Sequence, residues 1–416
     1  MQFTLLRRIR AWIGIDLGWA LVACALRERR RHRGIAATAR SERTPPAVST
    51  TESPADDRAG RRRPVSARRS WIALGLALVG VLALGALPAP YAIDGPGPVT
   101  DTLGTIAVDG EDLPLITIEG AETYPTEGRL DLLTVTRTGN REQQPRWLDV
   151  LSAWFDPRRV AVPLDTAFPL GTTTEAVEQA NAAAMTASQQ RAIAAALVGL
   201  GYDVGAELTV GTIAEGSPAD GLLEEGDRIR SIDGESFISV EAMSAAIGEH
   251  GTGSPVTVAV DRAGEELELA MTPIEGRGAS SDAVLGVGVV AEYDFPIDVS
   301  IRIDQVGGPS AGMMFALAIT DDLTPGALNG GEHVAGTGTI TADGEVGPIG
   351  GIRQKLYGAL DAGAEYFLAP ADNCDEVVGH VPGDLRVFAV ATLDDAAAAL
   401  RAIRGEADAD ALPTCG

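Results

Sequence analysis

Apolar residues in this chain of 416 fall into three kinds of run, and each predicts a different element. One is continuous: residues 71–87, from Trp71 through Ile72, Leu74, Val79 and Leu84 to Leu87, carry no charge. Extended through Ile93, this stretch is long enough to cross a bilayer as a helix. The second kind is short, rich in β-branched residues and partly alternating, which predicts strands over 115–119, 129–136, 256–260, 266–271, 299–303, 366–369 and 386–390. The third recurs at helical spacing and predicts helices over 175–198, 239–248, 311–319, 352–362 and 393–403. Beyond the membrane segment the pattern is a mixed α/β one. Residues 28–69, rich in Arg, Ser, Thr and Pro, show no apolar period and are expected to be disordered.

Charge sharpens the topology. The net charge is −25, yet residues 1–70 are basic and the remainder strongly acidic. Arg61, Arg62, Arg63, Arg68 and Arg69 stand directly before the apolar run. By the positive-inside rule the N-terminus is cytoplasmic and everything after about residue 94 lies outside. A cleaved signal peptide is the competing reading, because Ala86-Leu-Pro-Ala-Pro-Tyr-Ala92 offers small residues. A second apolar stretch, residues 11–26, is short and contains Asp16; a span, an interfacial helix and translated sequence upstream of the true start all fit it. Beside an apolar span the arginines read as topology, and no nucleic-acid partner is expected. Trp147, Trp154 and Phe155 near Pro157 read as core or membrane-proximal packing rather than a binding site. Of three cysteines, Cys374 and Cys415 fall in the outer part, where oxidation is permitted, and are expected to form a disulfide that ties down the C-terminal tail. No spacing of Cys or His fits a metal site and no cofactor motif stands out, so no metal and no cofactor are expected.

The chemistry centres on cations. Arginine supplies every cationic side chain but one: Lys355 is the sole lysine, in the run Gly347-Pro-Ile-Gly-Gly-Ile-Arg-Gln-Lys355-Leu356. A guanidinium cannot lose its proton in a protein, whereas a buried ammonium can, so this position is a candidate base. On a helix, Ile352, Leu356 and Ala359 would place the amine on the apolar side. Upstream, Gly307-Gly308-Pro309-Ser310-Ala311-Gly312 sets a serine between a turn and a helix start, where free main-chain N–H groups can stabilise an oxyanion. A serine hydroxyl needs an adjacent base to become a useful nucleophile. Taken singly each motif also reads as structure: a lysine stem packed with its head in water, and a helix cap.

Two resemblances join these pieces. Val210-Gly-Thr-Ile-Ala-Glu-Gly-Ser217-Pro218-Ala followed by Gly226-Asp227-Arg-Ile-Arg-Ser-Ile-Asp233-Gly234 resembles the PDZ family of the bacterial protease type, over about residues 199–275. Such a domain takes an extended peptide as an added strand. By position its carboxylate-binding loop would be Leu200-Gly201-Tyr202-Asp203-Val204, though Asp203 suits a carboxylate poorly. A packing or gating role for this module stays open beside peptide capture. Gly308-Pro-Ser-Ala-Gly312, Thr337-Gly-Thr-Ile-Thr341, the Lys355 run and Ala359-Leu-Asp-Ala-Gly363 follow the order and spacing of the proteolytic domain of Lon-family (S16-type) serine peptidases, over about residues 280–405. That resemblance implies Ser310 as nucleophile, Lys355 as general base and Thr337 as hydrogen-bond partner of the lysine. Thr339 stands where the family often has an acidic residue, and Gly308 where it usually has aspartate.

The whole resembles membrane-anchored Lon-like proteases of Gram-positive bacteria. The fold class implied is an α/β (α+β) Lon-type domain with an inserted PDZ domain and one N-terminal transmembrane helix. Its plan is a basic cytoplasmic segment (1–70), a transmembrane helix (71–93), an extracytoplasmic strand and helix region packing on the protease domain (94–198), the PDZ domain (199–275), the proteolytic domain (280–405) and a tail (406–416). The only lysine precedes Leu356 rather than Ser or Thr, so no Walker A motif is present and hydrolysis without ATP is expected. Protein or peptide substrates, a single membrane span and, by resemblance, a hexameric homo-oligomer follow. Two rivals remain: a non-catalytic PDZ scaffold, and an α/β-hydrolase-type esterase built on Gly308-x-Ser310-x-Gly312 with His333 or His380.

Overall fold

A computed structural model describes residues 67–415 apart from 109, 170, 277–281 and 304–305. The basic segment before residue 67, the stretch 11–26 and residues 277–281, at the junction of the expected PDZ and proteolytic domains, lie outside the described residues. Helix α1 (Ala67–Gly85) comes first, with Trp71, Leu74, Leu78, Val81 and Leu84 all exposed. It stops short of the expected limit at residue 93. Pro88 and Pro90 lack the N–H a helix needs and clash with its preceding turn, and Ala92 and Ile93 are buried in the first strand. Among the described residues no helix is long and apolar enough to cross a membrane.

The chain continues through strands β1 (Tyr91–Asp101), β2 (Ile116–Glu119) and β3 (Arg129–Thr138), helix α2 (Trp147–Phe155), strand β4 (Val160–Pro163) and helix α3 (Thr174–Gly199). Thr173 caps α3, its hydroxyl accepting from Ala176 N–H at 3.1 Å. Next come β5 (Gly205–Ile213), β6 (Arg228–Ile232), α4 (Val240–His250), β7 (Val256–Arg262), β8 (Glu265–Met271) and β9 (Val287–Asp294). The last stretch holds β10 (Asp298–Ile301), α5 (Gly312–Asp322), β11 (His333–Gly336), α6 (Ile352–Ala362), β12 (Tyr366–Pro370), β13 (Arg386–Val390) and α7 (Leu393–Ile403).

Two larger sheets organise these elements. The main one runs β13-β12-β11-β3-β1-β4. Its first four strands are parallel, and β1 runs antiparallel to both its neighbours, β3 and β4. β3 pairs directly with β11, Leu130 opposite Val334 and Leu132 opposite Gly336. Residues 91–163 thus form half of the sheet that carries the proteolytic motifs, rather than a region packed against it. Alternation along β3 builds both layers. Leu130 and Leu132 face a core shared with α3, α5 and α7, and Leu133 faces Ile352, Leu356 and Ala359 of α6. Helix α5 is apolar on every side from Met313 to Ile319 and is correspondingly buried all round.

The second sheet, β8-β7-β6-β5-β9, is antiparallel with its own core, which includes Leu208, Val258, Met243 and Leu285. Asp233 and Gly234 both adopt positive φ, 49° and 84°, and turn the chain back where the Asp-Gly pair predicts it. This sheet takes in β9, which lies beyond residue 275. At the other margin of the main sheet Cys374 and Cys415 are disulfide-bonded, and the tail lies along β13, with Ala389 N–H donating to Pro413 O at 2.9 Å. That contact covers an otherwise open strand edge.

Candidate active site

Ser310 and Lys355 meet where two helices begin. Ser310 stands two residues before α5, in a turn that Gly308 opens with φ +85°. Two contacts from α3 fix this turn: Gly308 N–H donates to Asn181 O at 2.9 Å, and the buried hydroxyl of Ser188 donates to Pro309 O at 2.9 Å. From beneath, Met313 N–H donates to Gly338 O and Gly338 N–H to Ser310 O at 3.0 Å. Helix α5 lies so close to β11 that a Cβ on Gly336 would come within 2.6 Å of Met314 Sδ.

Lys355 sits in the first turn of α6, its N–H donating to Gly351 O at 3.1 Å. Gly351 takes a left-handed conformation, φ +74°, that opens the helix against Val135. The loop before it is clamped by Asn373, whose side chain accepts from Ile349 N–H at 2.9 Å and donates to Ile349 O at 3.0 Å. Ile352, Leu356 and Ala359 are fully buried around the lysine, as helical spacing predicts, and Lys355 itself is 2% exposed.

The amine then reaches two hydroxyls. Lys355 Nζ lies 2.7 Å from Ser310 Oγ and 2.8 Å from Thr337 Oγ1. Thr337, fully buried at the end of β11, donates its own proton to Ser310 O at 2.8 Å, which leaves its oxygen free to accept from the amine. No carboxylate is bonded to Lys355 among the described residues, and burial alone lowers its pKa to about 7. Near neutrality the amine therefore has a lone pair available for the Ser310 proton. The main-chain N–H groups of Ser310 and Ala311 find no acceptor among the described residues and are free to meet a developing oxyanion. A cleft of about 820 Å³, lined by Ile106, Glu178, Asn181, Met185, Val306 and Gly307, opens beside this turn. The histidines bond elsewhere: His333 lies 2.6 Å from Asp131, and His380 bonds to Val378 O. Neither supplies Ser310 with the base that an esterase triad requires.

Residues 297–401 match the family model of the Lon protease (S16) C-terminal proteolytic domain, and residues 171–272 that of the PDZ domain. The chain carries a Lon-type proteolytic domain. It is 37% identical to the Lon protease of Campylobacter concisus over 26% of this chain and 14% of that one, and 42% identical to Lon protease 1 of Sorangium cellulosum over 24% and 13%. It thus spans well under a fifth of the length of these curated relatives. Among solved structures, the PDZ domain of an SdrC-like protein of Listeria innocua is 24% identical, covering 20% of this chain and 92% of that one with a TM-score of 0.19.

The loop expected to bind a carboxylate does not line the cleft beside α4. Leu200-Gly201-Tyr202-Asp203-Val204 joins α3 to β5; Tyr202 N–H donates to Leu197 O, and Tyr202 and Val204 pack into the core shared with the proteolytic domain. The cleft beside α4 is instead lined by Met243, Ser244 and Ile247 of that helix and by Leu285, Gly286, Val287 and Gly288 at the start of β9. β9 pairs with β5 along one side and forms the sheet's outer edge. The available signal was the run Leu285-Gly-Val-Gly288, two glycines in alternation at the start of a strand, which lies past residue 275, where the domain was expected to end. Ser188, Asn181 and Asn373 gave less. A serine in an alanine-rich helix and an asparagine before a cysteine read as surface until the fold brings them to the two site loops.

Proposed function

We propose that this protein is an ATP-independent serine endopeptidase in which Ser310 is the nucleophile, Lys355 the general base and Thr337 the group that orients the amine. The observation that carries this reading is the 2.7 Å contact between a hydroxyl at a helix start and the chain's sole lysine, buried to the point of losing its charge near pH 7. In the acylation step the Ser310 Oγ–H bond gives its proton to Lys355 Nζ as Oγ bonds to the peptide carbonyl carbon. The carbonyl oxygen takes up negative charge against the free N–H groups of the Ser310 turn. The protonated amine next delivers that proton to the leaving nitrogen, and the C–N bond breaks to leave an acyl ester on Ser310. A water that loses its proton to Lys355 hydrolyses the ester and restores the hydroxyl. No step uses a nucleotide, and the one lysine, followed by Leu356, cannot serve a Walker A loop.

The same reading places the catalytic part outside the cell membrane, tethered by α1 as a single span with the arginine-rich N-terminus in the cytoplasm. Support comes from the exposed apolar surface of α1, the arginines before it and a disulfide, which persists in oxidising surroundings. Substrates are then extracytoplasmic proteins presented as unfolded segments, with the cleft beside β9 taking an extended peptide as an added strand. Ring-like homo-oligomers follow from the Lon resemblance. The test is cleavage of a denatured protein by the full chain. Ser310→Ala and Lys355→Arg abolish it, the paired His333→Ala and His380→Ala changes retain it, and ATP leaves it unaltered. A serine-reactive phosphonate labels the wild type but not Ser310→Ala. Full activity in Lys355→Arg contradicts the proposal, and an intact chain that takes no label supports the scaffold reading instead.

A further inference from the structure

Helix α2 presents an apolar face that is largely uncovered among the described residues: only Trp147, edge-on to Tyr91, and Leu148, over Gly85, touch the fold. At about 100° per residue, Trp147, Leu148, Leu151, Trp154 and Phe155 fall within about 120° of its circumference. All five are exposed, Trp154 by 59% and Phe155 by 84%. The neighbouring sector, Val150 and Ala153, is buried with Ala89 and Ile93. The third sector is polar and satisfied: Asp149 accepts from Arg146 N–H, Ser152 donates to Asp149 O, and Asp156 accepts from Arg158 N–H. One side of this short helix therefore serves the fold, and another serves something outside it. Soluble monomers scatter exposed apolar residues singly, whereas a contiguous aromatic patch marks an interaction surface.

Its position identifies the partner. α2 is bonded to the exit of α1: Trp147 N–H donates to Leu87 O at 3.1 Å, Ala89 N–H donates to Pro145 O at 2.8 Å, and Pro88 pairs with Arg146. Leu148 fills the space over Gly85, where a Cβ would come within 2.6 Å. The apolar part of α1, from Trp71 to Gly85, measures roughly 22 Å at 1.5 Å per residue, short of the roughly 30 Å hydrocarbon layer. Tryptophan favours the boundary between acyl chains and headgroups, and an amphipathic helix lying in that boundary supplies apolar surface where a short span ends. Exposed Arg146 and Arg158 stand at the two ends of the helix with Arg159 beside them, in a chain that is otherwise strongly acidic; Arg158 is also held by Asp361 at 2.9 Å.

We propose that α2 lies in the outer headgroup boundary of the membrane, its Trp147–Phe155 face in lipid, so that the proteolytic domain is held at a fixed height and tilt over the bilayer instead of swinging on a flexible tether. The inference rests on the reading of α1 as an anchor. It is tested on the full chain in vesicles of phosphatidylglycerol and phosphatidylethanolamine that carry spin-labelled lipids, the label either near the headgroup or near the acyl-chain end. Two single-tryptophan variants are used, one keeping Trp154 and one keeping Trp71, each confirmed folded by circular dichroism and by cleavage of a short peptide. Trp154 emission is expected to be quenched most by the shallow label, and the double change Leu151→Asp and Phe155→Asp to remove that quenching while Trp71 stays quenched. Quenched Trp71 with unquenched Trp154 overturns the inference and leaves the anchor standing. If neither is quenched, the anchor reading fails and takes the inference with it. Shielding of Trp154 from acrylamide in lipid-free detergent, lost on dilution to monomers, assigns the face to a second copy and also overturns it.

Discussion

In the proposed dyad Ser310 becomes a nucleophile only while Lys355 is unprotonated, so the pH dependence of cleavage would follow the amine. With its pKa lowered to about 7, kcat/KM should fall about tenfold per pH unit below pH ~6 and level off above pH ~8. A flat profile over that interval would speak against a lysine base. The same shift bears on stability, with a definite sign. An unfolded chain binds a proton at this lysine up to its ordinary pKa of 10.5, whereas the folded chain has released it above about 7, so folding gains stability as pH rises between those values. Denaturant midpoints of the wild type should therefore climb from pH 7 toward pH 10 through this group. Lys355→Met should remove that climb and be the more stable protein at pH 7, by on the order of 1–3 kcal/mol. Much of this residue chemistry was legible in the sequence. A lone lysine with apolar neighbours at i−3, i+1 and i+4 announces a buried amine, and the Gly-Pro-Ser turn announces a helix start. The contacts of Ser188 and Asn373 were not legible, because each acts through a loop distant in sequence.

At the scale of elements, the proposed catalysis depends on how α5 and α6 are seated, and glycines permit both approaches. Gly351 has φ +74°, and its missing Cβ would stand 2.8 Å from Val135 Cγ2. Gly351→Ala should cost about 1–2 kcal/mol in an unfolding titration. It should also lower kcat more than it raises KM, because the start of α6 shifts and carries Lys355 away from Ser310. Unchanged kcat with the full loss of stability would show that Lys355 is placed by other contacts. Helices and strands with strong local period match their expected bounds closely: α6, α7 and β13 begin and end where the pattern places them. Local pattern failed where a tertiary or steric term decides. The apolar run to Ile93 reads as one helix, yet two prolines end it and its last residues enter a sheet. The strand at Val287–Asp294 was not anticipated from its local pattern, and nothing local says that it closes the second sheet, so the cleft beside it went unforeseen.

At the scale of the whole molecule there are two clefts, one beside the turn at Gly307 that leads to Ser310 and one between α4 and β9. If the second takes up extended segments and passes them to the first, blocking it should affect long substrates selectively. Ser244→Trp, which fills the cleft beside Met243 and Ile247, should slow cleavage of a denatured protein by about tenfold and leave a short peptide within about twofold. Equal loss for both substrates would indicate a structural role for the cleft.

The account as a whole rests on a neutral amine, and the sequence offers a direct view of it. Because Lys355 is the only lysine, labelling of lysine with 15N at Nζ yields a single side-chain signal that needs no assignment. Its chemical shift, followed from pH 5 to pH 11 in the folded wild-type chain, should titrate near pH 7 and move in Ser310→Ala, which removes one of the two hydroxyls it touches. A signal that titrates near 10.5, the ordinary value for lysine, would mean an amine that stays charged at neutral pH, and the dyad could not work as described.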